Sequence, residues 1–271
     1  MPQVLVFQGR AGDHNDRGMA GAAVVGAALA GRLGVDPIVV GTPEPATSGT
    51  WDTELPAALP ALRALAAAHE SVLAAGDVPV SALSRCAAGL ATVPTVAARH
   101  PDARIVWLDA HGDLNTPAGS ASGYLGGLVL SAAAGWWDSG LGAGLDPANV
   151  VLVGARDLDA AEQALVDDGT IALAAGPDLL DVLDRHVGKH PVLVHLDCDV
   201  TEPGLLPTEF SVPGGLDLAA LRAVAERLAQ NPLAGLEIAE FEAQGDPTDG
   251  QARAAALLDA IAPLLDRAAR G

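Results

Sequence analysis

Short β-branched runs alternate with Ala/Leu-rich stretches of helical length along all 271 residues, and this alternation constrains the fold more than any other feature. The runs are Val4–Phe7, Pro37–Val40, Val78–Ser81, Arg104–Asp109, Val150–Gly154, Thr170–Ala174, Val192–Asp199 and Leu236–Glu240. Helices are expected between and after them, at Met19–Leu33, Leu59–Ala75, Gly89–His100, Tyr124–Ala134, Ala160–Asp167, Asp178–His186, Leu218–Gln230 and Gln251–Ala269. Strands separated by helices imply a parallel sheet with right-handed crossovers. Runs that are apolar throughout imply a sheet covered on both faces. No solenoid-period repeat interrupts the pattern, so residues 1–271 read as a single α/β domain. The Pro/Gly-rich segments Gly41–Trp51 and Gly204–Gly215 read as loops over an active site, since the alternation continues on both sides of each.

Charge excludes several roles. Asp and Glu number 34 against 15 Lys and Arg, a net −19, and Lys189 is the only lysine. A phosphate-backbone binder needs a basic face, and base-stacking platforms need more than 3% aromatic residues, so no nucleic-acid partner is expected. The apolar stretch Met19–Gly31 is far shorter than the roughly 20 residues of a membrane span. Asp13 and Asp16 precede it where a signal peptide would be basic. Two cysteines, Cys86 and Cys198, make no disulfide framework. A soluble cytoplasmic protein without a membrane partner is expected.

Ligands in open parallel sheets bind beyond the carboxyl ends of the strands. There the Arg104–Asp109 run leads into Asp109, His111 and Asp113, which share a side if the chain stays extended. The Val192–Asp199 run likewise ends in Asp197 and Asp199. A helix-capping aspartate beside a surface loop is the plain alternative for the first segment. Together, however, the two segments bring carboxylates and an imidazole to the end of a buried sheet, where they repel one another unless a cation lies between them. Hard oxygen donors with one nitrogen suit a pair of Mn²⁺-like ions bridged by carboxylate and a nucleophilic hydroxide. Cys198 alternates with both aspartates and is expected in the core. His195 shares the face of Asp197 and is either a satisfied core histidine or a donor to a bridging carboxylate. His14 follows the first strand and is expected either near the mouth of the site or, in preference, in a solvated loop, and His69, His100, His186 and His190 on helix surfaces or loops.

DAHGDLNTP (109–117), GARDLDAAE (154–162), HLDCDVTEPGLLP (195–207) and EIAE (237–240) resemble, in order, the motifs of the arginase family of dimanganese ureohydrolases. The resemblance implies a three-layer αβα fold on an eight-stranded parallel sheet and two Mn²⁺ ions as cofactor. By motif, Asp109 and Asp197 are bridging ligands, and His111 and Asp199 bind one ion. Asp113 binds the other and accepts a hydrogen bond from the hydroxide. Glu240 faces the guanidino group. Asn115, Ser120, Ser122, Asp159 and Glu162 hold the amino-acid end of the substrate; Asp159 and Glu162 would equally well stabilise a helix start.

Two family features are missing. No Gly-Gly-Asp-His motif exists, and counting back 23 positions from Asp109 reaches Cys86, in Leu83-Ser84-Arg85-Cys86. Cys86 is either the replacement ligand or an ordinary buried cysteine. The family's proton-shuttling histidine is replaced by Gly126, which is expected to leave room beside the guanidino carbon. These departures resemble the hydroxyarginine-hydrolysing branch associated with D-cycloserine-type antibiotic biosynthesis. The function expected is an amidinohydrolase converting the amino acid Nω-hydroxy-L-arginine to L-ornithine and hydroxyurea. An ordinary arginase or other guanidino-acid ureohydrolase, or an inactive family member acting as a binding protein, are the alternatives. Trimeric arginases commonly use a C-terminal extension, so a sequence ending at Gly271 is expected to be monomeric.

Overall fold

A computed structural model describes residues 1–270. All eight β-branched runs form strands: β1 (Pro2–Phe7), β2 (Ile38–Val40), β3 (Val78–Ala82), β4 (Arg104–Leu108), β5 (Val150–Val153), β6 (Ala172–Ala174), β7 (Val192–Asp197) and β8 (Leu233–Ala239). They make one parallel sheet in the order β2-β1-β3-β8-β7-β4-β5-β6. The chain builds one half with β1–β3 and the other with β4–β6. Its last two strands then fill the gap between the halves.

Period-two alternation divides the strand side chains between two cores. Val4, Val80, Val106, Val194 and Leu236 face one side. There α1 (Arg17–Leu33), α6 (Leu179–Val187), α7 (Leu218–Leu228), α8 (Pro247–Ala260) and α9 (Ala262–Arg270) cover them with Leu29, Leu183, Leu221, Leu257 and Leu264. Phe7, Ile105, Trp107, Leu152 and Leu193 face the other side. That face is covered by α2 (Trp51–Ala74), α3 (Gly89–Arg99) and α4 (Val129–Ala133). The remaining helix, α5 (Ala160–Asp167), follows β5 and has only one fully buried residue, Glu162. The result is the three-layer αβα arrangement expected.

Three helices depart from the sequence reading. α2 begins at Trp51, eight residues before the expected start, and contains both Pro56 and Pro60. Proline disfavours a helix interior, but Leu55, Ala58, Leu62 and Leu65 form one buried stripe that offsets the two lost amide donors. The helix expected over Tyr124–Ala134 is reduced to a 3₁₀ turn at Gly126–Leu128 and the five-residue α4. The C-terminal helix breaks at Ile261 into α8 and α9. No helix among the described residues is long and apolar enough to cross a membrane.

The face of α1 toward the sheet is glycine-rich for a steric reason. A Cβ on Gly21 would lie 1.7 Å from the Phe241 carbonyl oxygen, in the segment that leaves β8. Gly→Ala in an exposed helix stabilises by roughly 0.5–1 kcal/mol. Gly21→Ala is instead expected to destabilise by about 1–3 kcal/mol, because backbone must move to admit one methyl. Denaturant unfolding measures this; a variant as stable as wild type would show that the α1–Phe241 contact yields freely.

Candidate active site

The carboxyl ends of the four adjacent central strands supply the site. Across the sheet, Cys86 follows β3, Glu240 follows β8, Asp197 ends β7 and Asp109 follows β4. Simple alternation does not carry Asp109, His111 and Asp113 to one side, because β4 ends at Leu108 and the chain bends there. The bend is held by side chains: the amide of His111 donates to Asp109 Oδ1 (2.7 Å) and that of Ala110 to Asp199 Oδ1 (2.9 Å). After β7 the extended chain also stops, and Cys198–Val200 forms a single 3₁₀ turn in which the Asp199 amide donates to Asp197 Oδ1 at 2.7 Å. Cys198 points into the core under α6–α9, as alternation predicts. Three non-glycine residues have positive φ, Ser48 at 51°, Asp113 at 52° and Glu240 at 61°, and the last two belong to this site. Such backbone costs about 1–3 kcal/mol unless its surroundings enforce it, and it turns both carboxylates inward.

Seven of the sequence-selected residues converge. Cys86 Sγ lies 3.0 Å from Asp197 Oδ2. Three overlapping sets each bring potential ligand atoms within 4.8 Å of one another: Cys86, Asp109 and Asp113; Cys86, Asp197 and Glu240; Asp109, His111 and Asp199. Asp113 Oδ2 is buried without a hydrogen-bond partner, and Asp199 Oδ2 lies 3.0 Å from His111 Nδ1. Burial, reinforced by Asp199, pushes the Asp109 carboxyl up to about 7. Burial and then the neighbouring carboxylates push Asp113 and Asp197 well above the usual range. Burial opposes the imidazolium of His111, but the hydrogen bonds it donates to Asp109 and Asp199 outweigh it and hold its pKa up to about 12. Burial first, then Asp197 and Glu240, raise the Cys86 thiol, which donates to Asp197. Crowded acids with an orphaned inward oxygen are a donor set that fits divalent cations.

Behind Cys86 lies a buried polar chain. His195 Nε2 is 3.1 Å from Cys86 Sγ, and its Nδ1 is 3.0 Å from Glu237 Oε2. The ring stacks on Trp107 with centroids 3.5 Å apart, while the Trp107 indole donates to Asp109 Oδ2 at 3.1 Å. His195 thus backs Cys86 and is satisfied by Glu237. His69, expected on a surface, is fully buried instead, with Nε2 3.9 Å from Glu237 Oε1. His69 continues the buried stripe of Leu62 and Leu65 on α2, and its Nδ1 lies 2.7 Å from Thr95 Oγ1 on α3. Burial lowers the His69 pKa and leaves the ring neutral.

A cavity of about 380 Å³ opens above the acids. Asn115, Ser120, Ser122, Asp159 and Glu162 all line it. Asn115 Nδ2 donates to Asp159 at 2.7 Å. Ser120 and Ser122 accept the amides of Gly123 and Tyr124. Each Glu162 oxygen accepts a backbone amide, from Leu114 and from Asp159, both at 2.9 Å. Glu162 therefore ties the loop after β4 to the start of α5. His14, expected in solvent, lines the cavity too, packed against Tyr124 and within 3.4 Å of Glu209.

Gly126 does not leave open space. A Cβ there would meet Tyr124 Cε1 at 2.5 Å, so the tyrosine ring fills the room expected for substrate. The Tyr124 hydroxyl donates to Glu240 Oε1 at 3.2 Å, which pulls residue 124 away from helical geometry. Sequence reasoning missed Tyr124, and it also missed Arg85 and Arg156. Arg85 is wholly buried and bonded to Glu240 (2.7 Å), Glu242 (3.0 Å) and Asp13 (3.1 Å). A lone cation following a buried strand, in a chain this acidic, was the available signal. Arg156 clamps the loop after β7 by donating to the carbonyls of Asp199 and Val212, both at 2.8 Å.

The Arginase family model matches residues 41–262. The chain is 40% identical over 270 residues to N(omega)-hydroxy-L-arginine amidinohydrolase of Streptomyces lavendulae, covering 99% of both. Its fold matches the crystal structure of arginase from Bacillus cereus with a TM-score of 0.82 at 22% identity, covering 97% of this chain and 98% of that one. It likewise matches Entamoeba histolytica arginase in complex with L-ornithine, with a TM-score of 0.80 at 21% identity and 97% of each chain covered. The structural matches establish the fold, and the family match and the Streptomyces relative establish descent: this chain belongs to the arginase family and is a hydrolase of guanidino C–N bonds.

Proposed function

We propose that the protein hydrolyses Nω-hydroxy-L-arginine to L-ornithine and hydroxyurea at a pair of Mn²⁺ ions. The observation that carries this is the buried convergence of Asp109, His111, Asp113, Asp197 and Asp199 with a cysteine sulfur on one cavity. The relative that shares this chain's full length and 40% of its residues is named for hydroxyarginine hydrolysis, which supports the substrate. Asp109, His111, Asp113, Asp197, Asp199 and Cys86 would hold the two ions, with His111 and Asp199 toward one and Asp113 and Cys86 toward the other. Such an ion pair, when bound, activates a water nucleophile and offsets the charge that develops on attack.

The chain's own residues do the rest. Asp113 Oδ2, free of other partners and facing the cavity, takes the hydrogen bond from the attacking water. Glu240 presents its carboxylate to the guanidino end, and Asn115 and Asp159 at the rim meet the amino-acid end. Water adds to the guanidino carbon and the C–Nδ bond breaks. The departing nitrogen takes up a proton to become the ornithine amine, and the hydroxyamino nitrogen stays with the carbonyl as hydroxyurea. Purified protein assayed with both amino acids is expected to favour hydroxyarginine over L-arginine by at least about tenfold in kcat/KM. Preference for L-arginine would make it an ordinary arginase. No turnover of either, with no bound metal, would make it a binding protein.

Metal loading must displace protons. Metal ligation requires ionised carboxylate and neutral imidazole, whereas burial pushes the Asp109 carboxyl up to about 7 and the acids beside His111 hold its imidazolium up to about 12. His111 is protonated throughout and Asp109 takes up its proton as pH falls through about 7, so Mn²⁺ affinity is expected to weaken as pH falls from 8 to 6. Calorimetry in buffers of different ionisation enthalpy reads the proton release directly; affinity indifferent to pH and buffer would contradict the ligand set.

Variants assign the ligands individually. Asp197→Ala is expected to lose both ions and all turnover. Cys86→Ala should empty one ion site and spare the other, while Cys86→His should tighten Mn²⁺ there, because soft sulfur suits this ion poorly. Mn²⁺ titration with equal stoichiometry and affinity in wild type and both Cys86 variants would return Cys86 to a packing role.

A further inference from the structure

The carboxylate that should receive a cationic substrate is already occupied. Glu240 Oε2 takes a 2.7 Å ion pair from Arg85 Nη1, and Oε1 accepts the Cys86 amide at 2.9 Å and the Tyr124 hydroxyl at 3.2 Å. A carboxylate offers about four lone-pair positions, so three are filled before any substrate arrives. Arg85 cannot swing away. Its side chain is fully enclosed, and the same guanidinium also binds Asp13 and Glu242, which are themselves buried. An arginine guanidinium stays charged in a protein, and the carboxylates of Glu240 and Asp13 lie against it at 2.7 and 3.1 Å. Any group placed against Glu240 therefore meets a fixed positive charge directly behind it.

We propose that Arg85 is a specificity-determining residue: by neutralising Glu240 from behind, it makes the pocket select a guanidino head that is uncharged over one that is a cation. The inference rests on the guanidino substrate assigned above and deepens it. An N-hydroxyl withdraws electron density and lowers guanidine basicity, so hydroxyarginine enters neutral where arginine cannot. Arginine would bring a second guanidinium against the first, with one acceptor position left to share. Tyr124 contributes by filling the side of Glu240 over Gly126, the route by which a planar cation would reach both oxygens.

The test uses probes of fixed charge on the metal-loaded protein. L-Citrulline is a neutral isostere of L-arginine, and binding of each is measured by calorimetry and by competition against hydroxyarginine turnover. Wild type is expected to bind citrulline at least tenfold more tightly than arginine. Arginine binding as tightly or more tightly would overturn the proposal without any variant. Arg85→Met, made together with Glu242→Gln so that one buried charge of each sign is lost, is expected to reverse the preference toward arginine. Tyr124→Phe, which frees one acceptor position and disturbs no ion pair, should improve arginine binding several-fold and leave citrulline unchanged. If the Arg85 variant does not fold, the wild-type comparison and Tyr124→Phe still decide. Hydroxyarginine turnover with no citrulline preference would remove this inference and keep the proposed reaction. Preference for citrulline without hydroxyarginine turnover would do the reverse.

Discussion

Four aspartates packed at the ends of β4 and β7 repel one another in a medium that screens them poorly, and the architecture around them is arranged to hold that repulsion in place. The loops that carry them are tied by their own carboxylates: Asp109 and Asp199 take amides from the loop after β4, and Asp197 takes one from the turn that carries Asp199. The second oxygens are engaged as well, Asp109 Oδ2 by the Trp107 indole, Asp197 Oδ2 by the Cys86 thiol and Asp199 Oδ2 by the His111 ring, whereas Asp113 Oδ2 is buried and unmatched. A site with unspent acceptor capacity at the centre of a well-satisfied sheet is a site built around cations.

The second layer extends outward from the same strands. Trp107 on β4, His195 on β7 and Glu237 on β8 lie side by side in register. The indole bonds Asp109, the imidazole bonds Glu237 and backs Cys86, and the two rings stack. Burial pushes Glu237 up, but the hydrogen bond and charge of His195 outweigh it and hold it below the ordinary range. Because the register is that of a parallel sheet, moving one strand by a single residue would dissolve this row and the ligand set together.

Charge is balanced differently on the two sides of the cavity. The acids of β4 and β7 have little protein cation beyond His111, whereas Glu240, Glu242 and Asp13 share the enclosed Arg85, and Glu242 also binds Arg17 at 2.8 Å. Arg85 also lies 3.3 Å from Glu209, so two arginines stand among four carboxylates on that side, against His111 alone on the other.

The strand–helix alternation, the two-faced core and the identities of Asp109, His111, Asp113, Asp197 and Asp199 were legible from sequence, because period-two burial and acidic strand ends are local patterns. Cys86 was reachable only by counting along a resemblance. What tertiary structure alone decided has a different physical origin. Arg85 meets Glu240 across 155 positions of sequence, and Tyr124 meets it across 116, so no local pattern records either pairing. The positive φ of Asp113 and Glu240, and the burial of His69, follow from strands that are neighbours in space and distant in the chain. Sequence determined which groups stand at the sheet's carboxyl edge; only packing decided that the space over Gly126 is closed and that Glu240 already has a cation.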